Sequence, residues 1–165
     1  MPSNFPITKK YIETYGKSVE SEIKKRLKGH DKYASGKLYE SIRFIIKETP
    51  KDFTLDFTML DYGKYVDKGV KGSKTNKAGN TPYKYTNKMP PTKVFDKWIL
   101  RKGLAPRDKK GKFLNRDRIK FAIARSIFLH GVAPTNFFTI PTTRRAKQFE
   151  AGVGNAIAQD LDKMI

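Results

Sequence analysis

The stretch 90-PPTKVFDKWILRKGL-104, followed after a short basic link by 119-IKFAIARSIFLHGVAPTNFFTIP-141, decides how the chain is read. Pro91 suits the first turn of a helix, where its missing N–H would have had no partner. Val94, Phe95, Trp98 and Ile99 then share one face until Gly103 stops the run. A second helix, from about Arg118 to His130, carries Ile119, Phe121, Ala122, Ile123, Ala124, Ile127, Phe128 and Leu129 with almost no polar stripe, while Arg118 and Arg125 share one side. A helix apolar nearly all round is buried on more than one face. This helix is therefore expected at the centre of the core or of a subunit contact.

On the N-terminal side, Tyr11, Tyr15, Val19, Ile23 and Leu27, joined by Ile12, predict an amphipathic helix over 8–28 that Gly29 ends. The segment 30-HDKYASGKLYES-41 reads as a turn leading into a short helical turn. Ile42 to Glu48 is rich in β-branched and aromatic residues and reads as a strand. Pro50 and Asp52 mark a reversal, after which Phe53, Leu55, Phe57 and Met59 alternate with Thr54, Asp56 and Thr58, so an antiparallel hairpin is expected. In 61-DYGKYVDKGV-70, Tyr62, Tyr65 and Val66 fit one side of a helical turn. Asp61 and Asp67 are expected to cap it and to pair with Lys64 or Lys68.

Residues 68–89 hold almost no aliphatic side chains and predict a long, mobile basic loop; loops of that length inside domains are commonly functional. A second basic excursion spans 104–117, with a small hairpin expected about Gly111. Beyond Gly131, a candidate left-handed helix cap, VAPTNFFTIP is expected to be extended. A last helix follows Pro141 with Phe149, Val153, Ile157 and Leu161 at four-residue spacing, widened by Ala146, Ala156 and Met164. Gly152 and Gly154 inside it imply a bend or a close neighbour. The fold class is α+β: a small antiparallel sheet packed by several helices, in a single domain over 1–165.

Charge is the dominant compositional fact: 35 Lys and Arg against 16 Asp and Glu, net +19. Such an excess points to a polyanion or an acidic protein surface, or to solvated loops that keep the chain soluble. It is concentrated mid-chain: eight lysines against Asp67 between Lys64 and Lys93, and ten basic residues against Asp108 and Asp117 between Arg101 and Arg125. With no Cys, thiolate catalysis and cysteine-based zinc sites are excluded. No apolar run reaches the roughly 20 residues of a membrane span, and MPSNFPITKK lacks the apolar core of a signal peptide, so a soluble protein made in the cytoplasm is expected. His30 and His130 stand beside glycines at helix ends, where interaction with terminal carbonyls is expected and a metal is not. The glycines around Gly69, Gly72 and Gly79 make no phosphate-binding loop, and Gly152 with Gly154 makes no dinucleotide fingerprint. Nothing pairs a nucleophile with a base, so no catalytic residue, metal or cofactor is expected and the chain is not read as an enzyme.

The order of "GKLYESI" (36–42), a two-strand unit, "YGKYVDKG" (62–69), "PPTKVFDKWILRKGL" and "FAIARSIFLHGVAPTNFF" before a final helix resembles the tail completion, neck or head-tail joining proteins of tailed bacteriophages. The resemblance spans residues 8–160 and rests on Ser41 and Ile42, Tyr62, Tyr65 and Gly69, Pro90, Pro91 and Trp98, Phe121, Ala122 and Arg125, and Phe137, Phe138 and Pro141. The loop 68–89 is longer and more basic than the family's. What the resemblance implies is a non-catalytic virion protein of the neck or tail, forming a six-fold homo-oligomeric ring between the head connector and the tail. Its partners would be adjacent connector and tail proteins, with genomic DNA in the channel. Candidate docking residues are Lys71, Lys74, Lys77, Tyr83, Lys84, Tyr85 and Lys88; candidate subunit contacts are Arg118, Arg125, Phe128, Phe137, Phe138, Phe149 and Val153. The loop would dock on a neighbouring acidic ring, which explains both its length and its charge; facing DNA or facing solvent are its other readings. The alternative function is a stand-alone nucleic-acid-binding protein without sequence preference, gripping backbone with Lys and Arg and stacking on Tyr83, Tyr85 and Phe113.

Overall fold

The computed structural model describes residues 5–30, 36–49, 52–107 and 109–164. The chain is α+β, about 55% helical and 12% strand, with small antiparallel pairings and several helices. The elements run α1 (Pro6–Lys28), α2 (Lys37–Ser41), β1 (Arg43–Glu48), β2 (Phe53–Thr58), α3 (Gly63–Lys68) and β3 (Val70–Lys71). A 3-10 turn at Thr92–Val94 then leads into α4 (Phe95–Arg101), α5 (Arg116–His130), β4 (Gly131–Val132) and α6 (Thr139–Asp162). Although no composition break marks a boundary, the chain folds into two compact units, Met1–Gly63 with Asn136–Ile165, and Lys64–Thr135.

In the first unit α1 is the centre. Ile12, Val19, Ile23 and Leu27 are buried along one face with Thr8 and Gly16. Tyr11 and Tyr15 sit at its edge, where their rings meet Phe149 of α6 at 6.4 and 4.6 Å between centroids. The expected hairpin forms in register Phe44↔Phe57 and Ile46↔Leu55. Those four residues are half-buried, whereas Thr54 and Thr58 face water and Lys47 pairs with Asp56 at 2.7 Å. Gly16 lets the sheet approach: a Cβ there would stand 2.6 Å from the Phe44 ring. The turns expected over 31–35 and at Pro50 lie outside the described residues. Thr49 and Asp52 flank the latter, joined by the Thr49 Oγ1–H to Asp52 Oδ1 bond of 2.7 Å.

α6 starts earlier than expected and includes Pro141, which is buried in its first turn, where a missing N–H is harmless. Ala156 and Asp160 are buried on the side facing α1, and Phe149 and Val153 are half-buried. The Asp160 carboxylate accepts the backbone N–H groups of Ile7 and Thr8 at 3.0 and 2.7 Å and the Thr8 hydroxyl at 2.7 Å. It thereby caps the unsatisfied first turn of α1 from another helix. The Gly152 puzzle also resolves: the Tyr11 phenol crosses α6 there, donating to the Gln148 carbonyl at 3.1 Å, while Gly154 faces open space.

In the second unit, α5 corrects the sequence expectation. Only Ala124 is buried along it; Phe121 is 51% exposed, and Ile123, Ile127, Phe128 and Leu129 are half-covered. Ile99 of α4 is buried, but Val94, in the 3-10 turn before it, is 60% exposed. Lys120 links the two helices, bonding Asp96 at 3.1 Å and Asp117 at 2.7 Å. Asp67 is buried, at 2% exposure, whereas Lys64 and Lys68 are exposed. VAPTNFFTIP is extended only in part, since Gly131–Val132 forms β4 and α6 begins at Thr139.

Candidate functional site

The basic loop, expected to be free, is anchored by backbone hydrogen bonds. An α-helix ends with carbonyls that lack intrahelical donors, and residues 73–75 supply those donors to α5. The N–H of Ser73 reaches the Phe128 carbonyl at 2.8 Å, and those of Lys74 and Thr75 reach Leu129 at 3.0 Å each. Thr75 Oγ1 adds a 3.0 Å bond to His130 Nδ1, so this imidazole holds the loop to the helix end.

Two glycines make the approach possible. Gly131 has φ 75° and ψ −168°, a region essentially closed to residues with a Cβ. A Cβ on Gly72 would stand 2.6 Å from the Gly131 nitrogen. The backbone of Lys71 is then held from both sides. On one side β3 pairs antiparallel with β4; on the other, Lys71 N–H donates to the Tyr83 carbonyl and Tyr85 N–H to the Lys71 carbonyl, both at 2.9 Å. Further on, Asn76 closes a tight turn by accepting from the Ala78 N–H at 3.1 Å and donating to the Gly79 carbonyl at 3.0 Å. Thr81, buried, donates its hydroxyl to the Gly69 carbonyl at 3.2 Å.

This fixed backbone leaves Lys74, Lys77, Lys84 and Lys88 exposed, with Lys71 half-buried. The tyrosines are spoken for: Tyr83 packs edge-on against Tyr65 with centroids 4.6 Å apart, and Tyr85 leans on Phe128 at 6.3 Å. Burial pushes the Tyr85 phenol above its ordinary value. Together with Val70, Pro82 and Lys84, the three tyrosines line a shallow pocket of about 530 Å³. In the second basic excursion Arg107 and Phe113 form the expected hairpin bridge. The Arg107 guanidinium lies 3.8 Å from the Phe113 ring centre, so one face of that ring is already covered.

Charge is divided sharply between the units. Lys64–Thr135 holds 19 Lys and Arg against 4 Asp and Glu, a net +15, which leaves +4 of the total +19 for the remainder.

The candidate subunit contacts do not behave alike. Arg118 and Arg125 are exposed, and Phe128, Phe138, Phe149 and Val153 are half-buried. Phe137 is a correction: it is fully buried within the chain and offers nothing to a neighbour. The apolar side chains left in water are others. Phe121 is 51% exposed on α5, and Ile157 and Leu161 are 37% and 47% exposed on α6. Leu100, Leu104, Phe113 and Leu114 are exposed around an apolar groove of about 500 Å³ floored by Ile99. The four-residue repeat points to Ile157 and Leu161, but as a face to be buried in the fold.

Among the described residues no group of three His, Asp or Glu stands close enough to hold a metal, and no helix is long and apolar enough to cross a membrane. What the arrangement presents is a hydrogen-bonded basic surface and separate uncovered apolar strips. Comparison with protein-family models, curated proteins and solved structures finds no significant match to this chain.

Proposed function

We propose that the protein is a structural, non-catalytic component of a tailed-bacteriophage neck, working as a multi-copy ring whose basic loop docks on an adjacent acidic ring. The observation that carries this reading is the apolar surface the chain leaves uncovered on α5 and α6, at Phe121, Ile157 and Leu161. Covering a half-exposed side chain of that size is worth roughly 1 kcal/mol, so several together favour association, and heterologous contacts between copies close into rings. The anchored loop supports the docking part of the proposal. Its lysines project from a backbone already held by α5, so the entropy that opposes binding is that of the side chains and not of the loop backbone.

The charge of Lys64–Thr135 favours a second reading, a stand-alone nucleic-acid binder. Its stacking groups are weakened by the packing of Tyr83, Tyr85 and Phe113. Mass spectrometry of purified virions separates the two. A neck component is expected in a fixed, small copy number per particle; its absence from particles while it is abundant in the infected cell would favour the second reading.

A further inference from the structure

The unit that carries little net charge nevertheless gathers its lysines. Lys10, Lys17 and Lys24 recur every seven residues along α1, with Lys28 four further on. At 3.6 residues per turn all four fall within about 40° of arc, turned away from the buried Ile12, Val19 and Ile23. Beside this stripe lies a pocket of about 400 Å³, lined by Lys17, Lys24, Lys25 and Lys28 with Tyr39 and Phe44. Two of these ammonium groups stand over the Tyr39 ring, Lys24 Nζ 5.4 Å and Lys28 Nζ 5.1 Å from its centre. One acid, Glu20, borders the pocket, and both its oxygens are engaged: Oε1 with Lys24 at 2.5 Å and Oε2 with the Phe44 N–H at 3.2 Å. Lys10, Lys17, Lys25 and Lys28 make no ion pair among the described residues.

We infer that this stripe and its pocket are a phosphate-binding surface, along which the backbone of a nucleic-acid strand lies. Four lysines on one face of a helix, flanked by Glu13 and Glu20 and three of them seven residues apart, match a regularly repeating polyanion better than the irregular acids of a protein surface. From Lys10 to Lys28 the helix rises about 27 Å. A duplex strand carries about eight phosphates over that length, so the lysines, not the phosphates, limit the number of contacts. Lysine ammoniums neutralise phosphate without reading bases. This surface belongs to a different unit from the basic loop and does not depend on copies closing into a ring.

The test is fluorescence anisotropy of the full chain with a labelled 30-base-pair duplex over a series of KCl concentrations. The variant K10Q/K17Q/K28Q spares Lys24, which holds Glu20, and changes exposed positions only. It is expected to flatten the slope of log K against log salt by about 2.7, at 0.9 per lost phosphate contact, and to weaken binding at least tenfold. The loop variant K74Q/K77Q/K84Q should leave the α1 share of the slope in place. Amide resonances of Ser21 and Tyr39 in the unaltered chain should move on duplex addition, a readout that needs no variant. An unchanged slope in the α1 variant, or no duplex binding by the unaltered chain, overturns the inference. So does displacement by inorganic phosphate at equal ionic strength, which would make the pocket a simple anion site, or equal affinity for polyglutamate, which would make the partner an acidic protein.

Discussion

Asp160 finishes the first turn of α1 from a helix 152 residues away. Burial pushes its carboxyl up, but the N–H groups of Thr8 and Ile7, the Thr8 hydroxyl and the nearby Lys163 charge outweigh that and hold it below the usual value of 3.8. A carboxyl whose folded value is depressed stabilises the fold above its unfolded value and loses that contribution as pH falls through the folded one. Asp160→Asn is therefore expected to lower Tm at pH 7, and the gap from the unaltered protein should close as pH falls below about 4. A gap independent of pH would contradict this role. Two glycines of α6 give an opposed pair. Gly154→Ala meets open space and should stabilise by about 1 kcal/mol, or 2–4 °C in Tm for a chain of this size. Gly152→Ala places its methyl on the Tyr11 phenol and should lower Tm. At this scale the sequence was partly legible: the awkward glycines stood out, but their neighbours did not. Asp160 gave no signal because caps are sought just before a helix, and this one lies on the inner face of the last helix.

At the scale of elements, period-two alternation placed the β1–β2 hairpin and four-residue spacing placed α1 and α6, because one face of each is covered. The pattern misled for α5. Apolar residues all round it implied burial on several faces, yet the fold covers little more than Ala124 and the C-terminal end. Residues 68–89 misled in the opposite sense. Their anchors are backbone N–H groups donating to α5 carbonyls, and backbone bonds leave no side-chain signature. The amide protons of Ser73, Lys74 and Thr75 are accordingly expected to exchange slowly, with protection like that of the last turn of α5; exchange at free-chain rates would restore the mobile loop. Gly131→Ala should destabilise by about 1–3 kcal/mol and release the same three amides, since its Cβ would displace β3 from β4.

For the whole molecule, the sequence foretold both the charge and its concentration mid-chain; the structure adds that a single compact unit, Lys64–Thr135, carries +15 of the +19. Sequence also foretold surplus apolar surface but assigned it to Phe128, Phe137, Phe138, Phe149 and Val153 rather than to the residues the fold leaves more exposed. Those are Phe121, Ile157 and Leu161, together with the rim of the groove over Ile99, and not Phe137. If copies cover these strips, charge placed there should prevent assembly while leaving the fold of each chain intact, because the positions are already half in water. Phe121→Glu and Leu161→Glu are thus expected to keep Tm within about 2 °C and to abolish association. The most direct measurement is the mass of the purified protein by sedimentation equilibrium as concentration is raised. The account predicts a discrete closed oligomer, a small integer multiple of 18.9 kDa, that both substitutions return to the monomer. A mass of 18.9 kDa at every concentration, unchanged by either substitution, would contradict it.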